Sequence, residues 1–218
     1  MANPIQREKM YEALAYFSAH VRHGGQIKLF KLLYYLDLLH FRRTGRTTTG
    51  LTYEAWPMGP VPPTLNREFN DERSELRSRF LVERFKRLDD WPPTPTIDSD
   101  ADELERIASG GSSGYSPGQI KPKTPYKHLY LTRREQGLAS VLAEIFRDAT
   151  AAQMSDVSHN KFGPWRKALH KSKQTKIERP EIDLLEGVVA VGKKDEELPV
   201  EELNALVAER ARLEEALR

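Results

Sequence analysis

The stretch "QIKLFKLLYYLDLLHFRR", residues 26–43, constrains the fold more than any other part of the chain. Stepped at about 100° per residue, Leu29, Phe30, Leu33, Tyr34 and Leu38 distribute around the whole helix axis rather than along one stripe. A helix that is apolar on all sides has to be enclosed by other elements. The spacing therefore predicts a central, buried helix with the remaining elements packed around it. Its charges need an account: Lys28 and Lys31 share one edge, and Asp37 lies opposite. They either snorkel or pair with neighbours, or the two lysines hold a fixed carboxylate or backbone carbonyl near the loop at 53–63.

That loop, "YEAWPMGPVPP", concentrates two aromatics and four prolines around a single charge, Glu54. A catalytic loop would be expected to carry nucleophiles, acids or bases, whereas this one has the composition of rigid architecture or a recognition edge. The Thr, Tyr and Trp content just before it favours a short strand near 50–56. "GPVPP" is expected to break that strand, with Gly59-Pro60 turning the chain and Pro62 or Pro63 opening a helix through Leu65 and Phe69.

Elsewhere helical periodicity dominates. Residues 4–22 place Met10, Leu14, Phe17 and Val21 on one face, and the Gly pair of "RHGG" ends the segment. Thr132 with Glu135 forms a capping box that opens a helix to Phe146, with Leu138, Val141, Leu142 and Ile145 as the expected buried stripe. Thr150 with Gln153 repeats the capping pattern for a short helix carrying Met154 and Val157. Trp165 to Leu169 starts another turn or two of helix. Residues 199–217 form a charged terminal helix with Leu203, Val207, Leu213 and Leu217 roughly in line. That helix either packs back on its own domain or meets a partner. Residues 72–88 remain open between helix and strand, "EIDLLEGVVAVG" is undecided, and "QIKPKTP" is expected as a short strand.

Residues 89–126 are rich in Pro, Gly and Ser, include a candidate short helix in "DADELERIA", and read as a flexible insertion. "GGSSG" at 110–114 is either native or an engineered linker. The expected fold is mainly α (α+β). It is a compact helical domain around the central helix, with one small antiparallel sheet from 50–56 and segments near 81–87 and 119–123. A domain over 1–175 and an extension over 176–218 are the expected organisation.

Composition narrows the function classes. The chain has 218 residues, 34 basic against 32 acidic for a net charge of +2, and no cysteine. The balance speaks against a dedicated nucleic-acid binder, which carries a basic excess, and the missing cysteines remove disulfides, thiolate catalysis and Cys-ligated zinc. No apolar run approaches the roughly 18 residues of a membrane span, and "MANPIQREKM" lacks a signal-peptide core, so a cytoplasmic protein is expected. The histidines show no metal-ligand spacing, and no Walker loop, G-x-S-x-G or G-x-G-x-x-G occurs. No catalytic residue, cofactor or metal is expected.

The segment 28–69 resembles the signature of the Panacea domain, the SocA-like antitoxins. The resemblance rests on Lys28 to Tyr34, on Glu54-Ala55-Trp56 and on Gly59-Pro60-Val61. "TRREQGLASVLAEIFRDATAAQMSDVSHNKFGPW" is similar to the family's late region, a helix, a small-residue turn, then Ser158-His159 and Pro164-Trp165. The likeness spans roughly 5–170, with 89–126 unmatched and the segment after 175 outside it. It implies an antitoxin that binds and neutralises a cognate protein toxin, encoded by an adjacent gene, and at least one member resembles an adaptor that passes its toxin to a protease. A DNA-binding autoregulator is the weaker alternative, and the oligomeric state is open. The motif residues Lys28, Lys31, Tyr34, Glu54, Trp56, Gly59, Pro60, Val61, His159, Pro164 and Trp165 are then structural or partner-binding. Trp56 and Val61 are expected to plug against the buried helix, Trp165 to clamp the same region, and His159 to be a hydrogen-bonding core residue.

Overall fold

Among the described residues, six α-helices and two short two-stranded sheets surround one further helix in the computed structural model, which describes residues 3–83, 119–125, 127–151, 153–154, 163–175, 177–187 and 198–216. The candidate helix in 100–108, the 89–118 part of the insertion, Val157, His159 and Leu217 lie outside the described residues.

Helix α1, Pro4–His20, opens with a capping box in which the Asn3 side chain accepts from the Gln6 backbone N–H. Pro4 stands in the first turn, where its missing N–H costs nothing. Helix α2, Gln26–Thr44, is the central element: Leu29, Phe30, Leu32, Leu33 and Leu36 are fully buried. It ends at Gly45, whose φ of 66° is the left-handed C-cap conformation that glycine adopts without strain.

Two apolar clusters explain the apolar surface all round α2. The larger takes Leu29, Phe30, Leu32, Leu33 and Leu36 from α2 and packs them with Leu14 and Phe17 of α1. The smaller takes Tyr34 and Leu38 from another side of α2 and packs them with Tyr53, Ala55, Trp165, Leu169 and Ile182. The helix is therefore a wall shared by two cores.

Strands β1, Glu54–Trp56, and β2, Gly59–Val61, pair antiparallel with Trp56 opposite Gly59 and Glu54 opposite Val61. The expected break at "GPVPP" is thus corrected: Pro57 and Met58 make the turn, and Gly59-Pro60-Val61 is the return strand. Helix α3, Pro63–Asn70, and the short α4, Glu75–Arg79, follow. Strands β3, Phe80–Val82, and β4, Ile120–Pro122, form a second antiparallel pair with Phe80 and Ile120 buried. The single expected sheet is therefore two separate two-stranded ones.

Helix α5, Arg133–Ile145, has the predicted capping box, with Thr132 accepting from Glu135 and Glu135 from Thr132. Its buried face differs from the expected stripe. Leu138, Ala139, Leu142 and Ala143 are buried, while Val141 and Ile145 are exposed. The seam therefore pairs the two expected leucines with two alanines in place of Val141 and Ile145. Helix α6, Pro164–Thr175, is longer than expected, a 3-10 turn covers Leu184–Gly187, and α7 spans Val200–Ala216. Helix α7 packs back at its start: Leu203 is fully buried, the Leu198 N–H donates to the Arg42 carbonyl over 3.1 Å, and a Cβ at Gly45 would stand 3.2 Å from Leu206 Cβ.

Charged side chains tie the helices together at the periphery. Arg79 bridges Glu8 of α1 and Glu75 of α4 at 2.6 Å each, and its guanidinium lies 4.6 Å from the Tyr11 ring centroid. Lys9 of α1 reaches the buried Glu135 of α5 at 2.7 Å. Burial opposes ionisation of Glu135, but hydrogen bonds from Lys9 and Thr132 outweigh it and hold the carboxyl below its ordinary range.

Candidate functional site

Of the motif residues, Glu54, Trp56, Gly59, Pro60 and Val61 form the β1–β2 hairpin, Tyr34 and Trp165 meet it through the smaller cluster, and Lys28 and Lys31 lie in the first half of α2. Alternation along the strand gives the hairpin two apolar faces. Trp56, Met58 and Val61 join the larger cluster, while Tyr53 and Ala55 join the smaller. Pro60 is accommodated because it sits opposite Ala55, whose N–H points away from β2 to the Pro180 carbonyl at 2.9 Å. Gly59 has a φ of 109°, a conformation side-chain-bearing residues rarely adopt, which accounts for glycine directly after the turn.

Trp56 is 5% exposed. Its indole N–H donates to Glu54 Oε2 over 2.8 Å, and the Arg179 guanidinium lies 3.9 Å from the ring centroid. Trp165, fully buried, donates from Nε1 to the Trp56 main-chain oxygen over 3.0 Å. Pro164 starts α6 one residue earlier. The free edge of β1 is covered as well: Ile182 N–H donates to the Tyr53 carbonyl over 2.7 Å, and the Glu54 backbone pairs with that of Glu181 in an isolated antiparallel bridge. Residues 179–182, expected to lie in an extension, thus line the hairpin.

Lys28 and Lys31 are both fully buried, so neither snorkels to water. Lys28 Nζ donates to the carbonyls of Arg22, Arg147 and Ala149 at 2.6, 3.1 and 2.6 Å. Lys31 Nζ stands 3.5 Å from the Ala151 carbonyl. The backbone-carbonyl alternative is the observed one, with a correction of place. The carbonyls belong to the turns after α5 and after α1, not to the 53–63 loop. Burial pulls the Lys28 ammonium down to about 8, still charged near neutrality, with the nearby Asp148 acting against the shift. Tyr34 stacks edge-on with Tyr53 at 5.3 Å, and its buried hydroxyl has no hydrogen-bond partner among the described residues. Burial pushes that phenol far above its ordinary range.

Asp37 is fully buried and ties α2 to the connector that leads into β1. Its carboxylate accepts from the Thr49 backbone N–H over 2.8 Å, from the Thr49 hydroxyl, and from the Tyr53 hydroxyl over 2.7 Å. Desolvation raises the Asp37 carboxyl to about 6 despite these donors. Tyr53, beside it, is pushed well above the phenol range by burial and by the Asp37 charge.

Sequence reasoning missed Asp37, Thr49 and Tyr53 as a unit, together with Arg179 over Trp56. A signal was available for the first: an acid on a helix with no polar face, followed by "TTTG" twelve residues on, requires donors for its buried charge. Nothing marked Arg179. Among the described residues no group of three or more His, Asp or Glu side chains is placed to hold a metal ion. His159 lies outside the described residues.

The family model for the antitoxin SocA-like, Panacea domain matches residues 29–166. No curated protein and no solved structure matches the chain. The matched stretch runs from α2 through the hairpin and α5 to Trp165, the segment whose side chains build the two-sided hairpin and its Trp165 lock, and it covers well over half of the sequence. The chain belongs to the SocA-like antitoxin family, the Panacea domain.

Proposed function

We propose that this protein is the antitoxin of a toxin–antitoxin pair, which binds its cognate protein toxin directly and neutralises it stoichiometrically, without catalytic turnover. The family match over 29–166 is the observation that carries the reading. The burial of Trp56, Val61, Lys28 and Trp165 adds a physical point. These motif side chains are consumed in holding the domain together, so toxin recognition falls to the outer faces of the helices. The toxin is encoded by an adjacent gene in this reading, and the encounter takes place in the cytoplasm. Among the described residues no helix is long and apolar enough to cross a membrane. A standard protein interface supplies the roughly nanomolar affinity, about −12 kcal/mol, that steric neutralisation requires.

Co-expression of the neighbouring gene with and without this protein tests the proposal. Growth arrest without it, rescue with it and co-elution of both chains near equal stoichiometry are expected. Rescue at strongly substoichiometric levels without a complex would overturn direct binding in favour of operon repression, delivery to a protease or an enzymatic mechanism.

A further inference from the structure

A cleft of about 670 Å³ opens where the end of α2, the start of α5 and helix α7 meet. Its lining is uneven in charge: Arg46, Arg133 and Arg134 face one acidic side chain, Glu209, with Leu206 supplying an apolar surface. Burial lowers the His40 imidazole, which also lines the cleft, so it adds no charge near neutrality. Some basic residues elsewhere in the fold are engaged, Arg7, Arg79 and Lys9 in ion pairs with glutamates. Arg46, Arg133 and Arg134 are exposed, and among the described residues no ion pair involves them. The head of α5 adds two donors. The Thr132 side chain caps the Glu135 N–H, and the Thr132 carbonyl takes the Gln136 N–H. That leaves the amides of Arg133 and Arg134, the first two of the helix, without an acceptor among the described residues. Three guanidinium groups and two helix-head amides therefore line one concavity, in which Glu209 is the single acidic side chain against them among the described residues.

We propose that this cleft binds an acidic protein segment, a short run of Asp and Glu side chains. Arginine presents a planar fork that matches a carboxylate bidentately, and three forks around one cleft suit several carboxylates spaced along a peptide. The Leu206 side chain would meet the aliphatic stems of such residues. A phosphodiester backbone fits less well, because the chain is nearly balanced at +2 and a nucleic-acid track is an extended basic stripe. The inference does not depend on the antitoxin reading, since its test needs no toxin.

The test uses the full chain and a fluorescein-labelled octaglutamate peptide, followed by fluorescence anisotropy at low salt. Saturable binding that weakens with salt is expected, with loss of about tenfold or more in R46A/R133A/R134A. A control removing three basic residues elsewhere, R67A/R73A/K121A, is expected to bind as the wild type does. The amide resonances of Arg133 and Arg134 should shift on titration of the unsubstituted protein, a readout independent of any variant's folding. Equal affinity in the cleft variant, or unmoved Arg133 and Arg134 amides, would overturn the proposal. Tighter binding of a twelve-nucleotide thymidine strand, lost in the same variant, would assign the cleft to nucleic acid instead. Complete displacement of the peptide by about 1 mM inorganic phosphate would reduce it to a small-anion site and also overturn the segment reading.

Discussion

The Trp165 indole N–H donates to the main-chain oxygen of Trp56 over 3.0 Å, joining two tryptophans 109 positions apart in the chain. Each follows or precedes a proline, so the backbone near both is restrained before the contact forms. Trp165 fills the smaller cluster from the start of α6, while the Trp56 ring points into the larger one. The hydrogen bond therefore fixes the hairpin between the two cores on either side of α2. Trp165→Ala is expected to destabilise the fold by about 3–5 kcal/mol, and Trp165→Phe, which keeps most of the packing but loses the donor, by about 1–3 kcal/mol. Urea denaturation of the three proteins checks the order. Trp56→Ala should fall in the same range as Trp165→Ala, and a small effect on unfolding with loss of toxin binding would instead place the Trp56 ring on the interface.

The register of α5 gives a second expectation. Leu138 and Leu142 are buried at 5% and 3% exposure, whereas Val141 and Ile145 are 51% and 65% exposed. Leu138→Ala and Leu142→Ala should each cost about 2–5 kcal/mol, and Val141→Ala and Ile145→Ala under about 0.5 kcal/mol. Comparable losses at Val141 and Leu142 would show that the helix turns its large residues inward after all.

Lys28 provides the third. Its ammonium is the shared partner of three carbonyls from two segments, Arg22 in the turn after α1 and Arg147 and Ala149 after α5. Lys28→Met keeps the apolar stem and removes the donor, leaving those carbonyls without it. The expected loss is about 3–5 kcal/mol, with hydrogen exchange at 147–151 accelerating more than exchange in α1. An unchanged midpoint would mean that water reaches the three carbonyls.

How much of this was readable in the sequence depends on whether the signal was local. The centrality of α2 was readable because apolar residues on every side of a helix admit few other placements. The Thr132–Glu135 and Thr150–Gln153 caps were readable because both partners lie within four residues. The return strand Gly59–Val61 was not, because Pro60 forbids a ladder donor and only the position of Ala55 opposite makes the donor unnecessary. The α5 seam was misread because side-chain size was weighed above fit, and Ala139 and Ala143 are buried in place of Val141 and Ile145. The partners of Lys28 and Asp37 come from backbone groups and hydroxyls, which carry no pattern of their own in a sequence.

Asp37 gives the fourth prediction, in the pH dependence of stability. Its carboxyl is raised from 3.8 to about 6 by burial. Between those values the folded chain retains a proton that the unfolded chain has released, so raising the pH penalises the folded state. The Asp37 contribution is fully present below about pH 4, is lost as the pH rises through about 6, and is flat above that. The interval corresponds to about 3 kcal/mol. Glu75 and Glu135, held below their ordinary range, give the opposite slope at lower pH, so the wild-type curve alone mixes both signs. The difference between wild type and Asp37→Asn removes them, because Asn fills the same space without titrating. Chemical unfolding of both proteins from pH 4 to 6.5 should show that difference falling by about 3 kcal/mol against the wild type. A flat difference would mean that Asp37 titrates alike in both states. A difference rising with pH would mean that the donors from Thr49 and Tyr53 outweigh desolvation and that the buried carboxylate is held charged.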